Sequence, residues 1–145
     1  AYRDLRLRSL QLAPDAYGST FAEESAEGDD FWVGRVAAAQ TLLAWDGDTA
    51  IGTATGIRDQ HETASREIVG VWVEPSARGY GVGAALILAI VEWARDAAAP
   101  AVALWVSDGN DAARRLYEQC GFVATGQRDH VRDDLWEERM RRPLG

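Results

Sequence analysis

Three glycines at alternate positions, Gly79, Gly81 and Gly83, follow an apolar segment that ends in Val73-Glu74-Pro75. This pattern predicts a strand that leads through a tight loop into a helix. The first turn of a helix has N–H groups without internal partners, and the helix dipole adds partial positive charge there. Glycine lets an anion approach the backbone closely, and Arg78 adds a cation at the rim. The loop is therefore a candidate binding site for phosphate groups.

The spacing distinguishes this loop from two familiar phosphate-binding motifs. A P-loop ends in Gly-Lys followed by Ser or Thr, and this chain contains no lysine. The dinucleotide fingerprint Gly-x-Gly-x-x-Gly is followed, about 20 residues later, by an acidic residue at the end of a second strand. Here that stretch leads into Ala97-Ala98-Ala99-Pro100. Two interpretations of the loop remain: a phosphate-binding loop of another kind, or a plain glycine-rich turn.

Composition narrows the class of protein. The 145 residues are 47% hydrophobic, which predicts one globular domain over residues 1–145. The net charge of −8 argues against a nucleic-acid partner and favours cationic small molecules or basic peptides. The single cysteine excludes an internal disulfide, and no segment resembles a metal site, so we expect no metal.

The sequence also indicates where in the cell the protein is expected. No apolar run approaches the length of a membrane span and no signal peptide is visible, so we expect a cytoplasmic protein without a membrane partner. Because the chain does not begin with Met, we expect it to be processed or trimmed.

Hydrophobic periodicity predicts alternating short strands and helices. The predicted helices cover residues 1–12, 21–25, about 30–39, 81–97 and 110–119, and the predicted strands cover residues 41–45, 49–56, 67–74, 101–107, 122–127 and 135–140. In the third helix, Asp29 or Asp30 is the expected cap, with Trp32, Val33 and Val36 inward. Within residues 67–74, alternation places Ile68, Gly70 and Trp72 on one face, and Gly70 suggests a bulge or a close backbone approach.

Two motifs resemble one family. The loop Arg78-Gly79-Tyr80-Gly81-Val82-Gly83, after a strand that ends in Val-x-Pro, closely resembles the acetyl-CoA loop of the GNAT family of N-acetyltransferases. The later segment from Trp105 to Phe122, with Asn110, Tyr117 and Gly121 at fixed offsets, resembles the closing signature of that family. Together they extend the resemblance over about residues 41–128, in the right order.

The resemblance implies an α/β fold with a mixed, mostly antiparallel sheet flanked by helices, the acyl-CoA N-acyltransferase fold. Family members normally begin with a strand before the first helix. None precedes Tyr2, so we expect that first strand to be missing from this chain. The next strand would then form a sheet edge, which offers a route to a homodimer.

The resemblance also implies acetyl-CoA as the acetyl donor and indicates where it binds. Its pantetheine arm would insert between two splayed strands and pair with exposed backbone, as an added strand does. The implied cofactor-binding residues are Val71, Trp72, Val73, Arg78, Gly79, Tyr80, Gly81, Val82, Gly83, Ala84 and Asn110.

Two catalytic residues follow from the same resemblance. Tyr117 is the expected general acid that protonates the leaving thiolate, although a core tyrosine would show the same helical position. Glu67 is the expected general base, with a chain of water molecules as the alternative. The pKa of Glu67 would have to be raised by burial for this role.

The implied activity is acetyl transfer to a primary amine, either of a small cationic molecule or of a peptide or protein. A sensor domain that binds acyl-CoA without turnover remains as an alternative. A longer acyl donor, such as succinyl-CoA, would need an unidentified cation near the acyl tail.

The residues that select the acceptor lie in the least patterned segments. The carboxylates of residues 23, 24, 27, 29 and 30 either receive an ammonium group or belong to a solvated loop, and we favour the solvated loop for any single one. His61 and His130 could act as bases, but we expect both to be solvated. Cys120 is expected to be a packing residue. Trp32, Trp45 and Trp136 could line an acceptor pocket or pack in the core.

Overall fold

The computed structural model describes residues 1–13, 20–32 and 39–145. The helices are α1 (Tyr2–Leu12), α2 (Phe21–Ser25), α3 (Val82–Asp96) and α4 (Asp111–Gln119), and the strands are β1 (Gln40–Asp46), β2 (Thr49–Arg58), β3 (Arg66–Val73), β4 (Ala101–Ser107), β5 (Val123–Arg132) and β6 (Leu135–Pro143). A short 3₁₀ helix, Pro75–Ala77, follows β3. None of the helices in the described segments is long and apolar enough to cross a membrane.

The six strands form one sheet in the order β1-β2-β3-β4-β6-β5. Strands β3 and β4 are parallel and every other neighbouring pair is antiparallel. Helix α3 makes the crossover that a parallel pair requires. This confirms the predicted mixed, mostly antiparallel α/β fold. Residues 1–13 and 20–32 contain no strand, and β1 and β5 are the two edge strands of the described sheet.

The final hairpin is longer than the sequence predicts. Strands β5 and β6 reach Arg132 and Pro143, whereas the predicted strands end at residues 127 and 140. Most of β5 is exposed, so its side chains lack the apolar alternation by which a strand is recognised.

The third predicted helix is described only in part. Residues 29–32 are helical, so Asp29 and Asp30 lie in the first turn and do not cap it. Trp32 is buried, and Val33 and Val36 lie outside the described residues.

A β-bulge at Gly70 changes which side chains of β3 share a face. Gly70 has a φ of 62°, and the β2–β3 register shifts beside it. Ile68 belongs to the core beneath α3, and beyond the bulge Val71 and Val73 pack against that core. Trp72 therefore points to the opposite face. The bulge expected at Gly70 is present, but the prediction that Ile68 and Trp72 share a face is wrong, because the extra residue reverses the alternation.

The main core lies between the sheet and helices α3 and α4. Ile87 and Ile90 of α3 are fully buried against Val102 and Leu104 of β4. Helix α3 lies close to the sheet because β2 has a glycine under it: a Cβ on Gly56 would lie 2.6 Å from the ring of Trp93.

A buried ion pair joins the first two helices on the other side of the sheet. The Nε and Nη2 atoms of Arg6 each donate a hydrogen bond of 3.0 Å to the carboxylate of Glu24. Both side chains are buried. The expectation that Glu24 belongs to a solvated loop is therefore wrong. Arg6 compensates the charge of Glu24, and the ion pair holds α2 against α1.

A second buried ion pair connects the end of β2 to β6 across the sheet. Asp59 accepts hydrogen bonds from the guanidinium of Arg139 and, at 2.9 Å, from the N–H of His61. Burial alone would raise the pKa of Asp59, but these hydrogen bonds lower it below its ordinary value. The pair fixes the polar loop of residues 59–65 next to the strands that carry Glu67 and Trp105.

We expect Asp59→Asn to lower the free energy of unfolding by roughly 3–5 kcal/mol, because Arg139 would remain buried without its counter-charge. Asp108→Asn is the matched control. Asp108 also pairs with an arginine, but its side chain is 43% exposed, whereas that of Asp59 is 0% exposed. Asp108→Asn should lower the free energy of unfolding by no more than about 1 kcal/mol. Urea unfolding at pH 7 measures both, and equal losses would contradict a structural role of the buried pair.

Candidate functional site

Strands β3 and β4 pair only where they begin. The parallel ladder joins Arg66 to Val102 and Glu67 to Ala103, and the two strands then separate. A cavity of about 760 Å³ opens there, lined by β3, the glycine loop, the start of α3, β4 and α4. Both predicted catalytic residues and all the predicted cofactor-binding residues except Tyr80 line this cavity. The fold thus brings together residues that the two sequence motifs indicated.

The glycine loop forms an uncapped helix start. Gly79 and Gly81 have φ angles of 87° and 82°, and Gly81 is the N-cap of α3 without a side-chain hydrogen bond. A Cβ at either position would meet nothing within 4 Å. In the described part of the chain, the N–H groups of Val82, Gly83 and Ala84 have no protein acceptor, and the first amide bonded back to the cap is that of Ala85, 3.0 Å from the Gly81 carbonyl. These amides face open space at the positive end of the helix dipole.

Arg78 fastens the loop to β3. Its Nε donates a hydrogen bond of 2.9 Å to the Val73 carbonyl, and its guanidinium lies 4.7 Å from the ring centroid of Trp72. The side chain is otherwise exposed at the rim, where its charge remains available to an anion. The side chain of Tyr80 is 83% exposed, so only its backbone is placed to take part in the loop.

Helix α4 contributes two predicted site residues. Tyr117 is buried, lines the cavity and packs edge-on against Phe122, with ring centroids 6.5 Å apart. Asn110 caps the helix, because its side-chain oxygen accepts a 3.2 Å hydrogen bond from the N–H of Ala113. A contact from Asn110 to a ligand would have to use its amide NH₂ group or its backbone.

Glu67 lies at the point where the two strands begin to separate. Its side chain lines the cavity, and the residue is only 8% exposed. Burial raises the pKa of Glu67 and the charge of Asp59 raises it further, against the opposing charges of Arg139 and His61. This is the direction that a general base needs.

Glu137 is a cavity residue that the sequence did not predict. This β6 residue lines the same cavity and is half-buried. Burial raises the pKa of Glu137, and the charges of Asp129 and Glu67 raise it further. Its place depends on β6 lying next to β4, a long-range pairing for which the sequence gives no local signal. The sequence offers one clue to Glu137. It lies two residues before Arg139, so the two side chains share one face of a strand.

Trp105 and Trp72 are the tryptophans at the cavity. His61 is exposed, as expected, and its ring packs on Trp105 with centroids 5.6 Å apart. The Arg139 guanidinium lies 5.8 Å from the centroid of the same ring. Trp72 is 5% exposed, and its indole Nε1 has no acceptor among the described residues. A buried donor on the wall of a cavity is available to donate a hydrogen bond to a ligand or to an ordered water.

The other aromatic and sulfur candidates lie elsewhere. Trp45 and Trp136 are 53% and 43% exposed, and neither lines the cavity. Trp32 packs with Tyr2 and Phe31. His130 packs against Trp136, with ring centroids 5.1 Å apart. Cys120 is buried, and burial raises the pKa of its thiol, as expected of a packing residue.

The chain belongs to the acetyltransferase (GNAT) family, whose sequence profile matches residues 6–122. Among curated relatives, the mycothiol acetyltransferase of Rhodococcus erythropolis is 30% identical over 112 residues, which are 75% of this chain. The chain spans only 38% of the length of that relative.

Solved structures show the same fold. The ribosomal-protein-alanine N-acetyltransferase of Brucella melitensis superposes with a TM-score of 0.79 at 19% identity, covering 99% of this chain and 92% of the other. An acetyltransferase of Bacillus subtilis in complex with CoA superposes with a TM-score of 0.67 at 21% identity, covering 81% and 84% of the two chains.

We expect Glu67→Gln to raise the melting temperature at pH 8, because the neutral amide avoids the cost of ionising a buried carboxyl. The raised pKa means that the native state favours protonated Glu67. The wild-type protein therefore loses this stability as the pH rises from the ordinary glutamate value through the raised value. Below pH about 4 the two proteins should melt alike.

Melting curves from pH 3.5 to 8.5 test this. Glu118→Gln, an exposed change on α4, is the control and should show no such pH dependence. A Glu67→Gln protein that melted lower than the wild type at pH 8 would contradict a destabilising buried charge.

Proposed function

We propose that this protein is an acetyl-CoA-dependent N-acetyltransferase that acts on a primary amine. The observation that carries the proposal is the uncapped start of α3, whose amides face the cavity that also holds Tyr117 and Glu67. The proposed reaction uses three features of the cavity. They are a helix start that could bind phosphates, a gap between two strands, and two residues that could transfer protons.

The residues fit coenzyme A in two places. The amides of residues 79–84 and the guanidinium of Arg78 would bind the diphosphate. The edges of β3 and β4, which no longer pair with each other, would bind the pantetheine arm by backbone hydrogen bonds. When bound, acetyl-CoA supplies the thioester whose carbonyl carbon the amine attacks.

The chain's own groups would move the protons. Glu67 would take a proton from the ammonium form of the acceptor, directly or through water, so that the nitrogen lone pair becomes available. As the C–N bond forms and the C–S bond breaks, Tyr117 would give its phenolic proton to the departing thiolate and would take up the second proton of the acylated nitrogen. A backbone N–H among residues 71–73 would stabilise the charge that develops on the carbonyl oxygen.

The acceptor would be a small cationic molecule or the amine of a peptide. The net charge of −8 supports cationic acceptors in general. The partial likeness to a mycothiol acetyltransferase supports a small molecule. A longer acyl donor gains no support from Arg6, the buried cation on the cavity wall, because Glu24 already compensates its charge.

We expect calorimetry to show CoA binding by the wild-type protein. Arg78→Ala should weaken it by about tenfold or more, because a charge-assisted contact and the anchor to Val73 are both lost. Arg95→Ala, at the distant end of α3, is the control and should bind as the wild type does. An absence of heat with CoA would refute the proposed function. An unchanged affinity in Arg78→Ala would mean that backbone amides alone hold the phosphates.

We expect Tyr117→Phe to lower the turnover number by about 10²-fold or more, because the thiolate loses its proton donor. The affinity for CoA should stay the same. Tyr2→Phe, which removes a hydroxyl outside the cavity, is the matched control. Thiol release from acetyl-CoA with a panel of amines measures turnover. A full rate in Tyr117→Phe would exclude Tyr117 from the mechanism, and CoA binding without turnover of any amine would favour the sensor function.

A further inference from the structure

The sheet face opposite α3 and α4 carries the polar groups at the other mouth of the cavity. Val102, Leu104 and Val106 of β4 point into the core, so Ala103, Trp105 and Ser107 point away from it. Glu67 pairs in register with Ala103, Arg139 with Trp105, and Glu137 with Ser107. The two glutamates and Trp105 therefore lie on one face, where the gap between β3 and β4 opens.

From this placement, and resting on the proposed function, we propose that Glu137 binds the ammonium group of the acceptor in front of Glu67. Glu137 would thereby select amines that arrive as cations and carry no carboxylate of their own. Glu67 is the more deeply buried and takes the proton, whereas Glu137 is half-exposed and holds the charge.

The charges around Glu137 leave room for a cationic ligand. The arginines near it are committed elsewhere: Arg139 pairs with Asp59, Arg141 with Glu62, Arg128 with Asp108 and Arg114 with Glu138. Among the described residues no cation pairs with Glu137 or with Glu67. Asp129, opposite Glu137 on β5, adds a further negative charge.

The buried carboxylate of Glu67 is a second observation that points to a ligand at this place. Glu67 is 8% exposed and lines the cavity, the backbone of Gln60 is its hydrogen-bond partner, and no side chain of the described residues donates to it. Like charges that are held together in a partly buried site are costly, and a bound ammonium group would reduce that cost.

The same arrangement would favour product release. The ammonium gives one proton to Glu67. As the C–N bond forms and the C–S bond breaks, the second nitrogen proton passes through the phenol of Tyr117 to the leaving thiolate, and the product is a neutral amide. A neutral amide has no charge for Glu137 to hold, so the attraction that brought the acceptor in is lost once it is acetylated.

Steady-state kinetics with three probes of equal chain length test the proposal: n-butylamine, 1,4-diaminobutane and 4-aminobutanoate. We expect the wild type to prefer the two cations over 4-aminobutanoate. Glu137→Gln should raise the KM of n-butylamine about tenfold or more. Its kcat should stay within about threefold and its KM for acetyl-CoA should not change. Glu137→Asp should restore part of the affinity, and Glu137→Lys should shift the preference towards 4-aminobutanoate.

Glu138→Gln is the matched control, because this neighbour on β6 points to the other face and pairs with Arg114 at 2.6 Å. It should leave all kinetic constants within about twofold. Equal effects of Glu137→Gln and Glu138→Gln, or a loss in kcat alone, would overturn the proposal and leave the proposed function standing.

Binding provides a readout that does not need turnover. In the CoA-saturated protein labelled with ¹⁵N, 1,4-diaminobutane should shift the indole N–H signal of Trp105, and Glu137→Gln should weaken this binding about tenfold or more. A wild-type protein that binds CoA but shows no response to the diamine would overturn the proposal. A protein that binds the diamine but not CoA would refute the proposed function instead.

Discussion

The early end of the β3–β4 ladder is the constraint on which the rest of the site depends. A sheet normally separates what lies on its two faces, and breaking a ladder leaves costly unpaired backbone groups. Here pairing stops after Glu67 and Ala103, so the two faces communicate through one cavity. The glycine loop and Tyr117 approach from the side of α3 and α4, while Glu67 and Glu137 lie on the other side. Without the gap, Tyr117 and the two carboxylates could not face one common cavity.

Buried charges support this opening from both sides. The Arg6–Glu24 pair joins α1 to α2 below β3, and the Asp59–Arg139 pair fixes the loop after β2 against β6. Because these pairs use the deeply buried cations near the cavity, the carboxylates that face it form no ion pair with any of the described residues. Sites that hold like charges together usually cost stability, and here that cost coincides with the groups that the proposed reaction uses.

The sequence predicted best what is encoded locally. The glycine loop, the Asn110 cap and the place of Tyr117 all depend on residues that lie within a few positions of one another. Gly70 correctly signalled a bulge, but its consequence for the faces of β3 was missed because simple alternation has no place for an extra residue. Glu137 was missed because it reaches the site through the pairing of β4 with β6, which no short-range pattern specifies. The roles of these residues in binding and catalysis stay predictions.

The charge balance at the cavity links recognition of the acceptor to the chemistry. An ammonium group about 4 Å from a carboxylate gains about 4 kcal/mol at an effective dielectric constant near 20. An uncompensated Glu137 could therefore attract the protonated amine, the form that dominates at neutral pH, although that form cannot attack a thioester. In the proposed reaction the raised pKa of Glu67 would solve this difficulty, because a carboxylate with greater affinity for the proton is a better acceptor of it. Burial would then serve both proposed steps: it would strengthen the attraction for the cation and make its deprotonation easier.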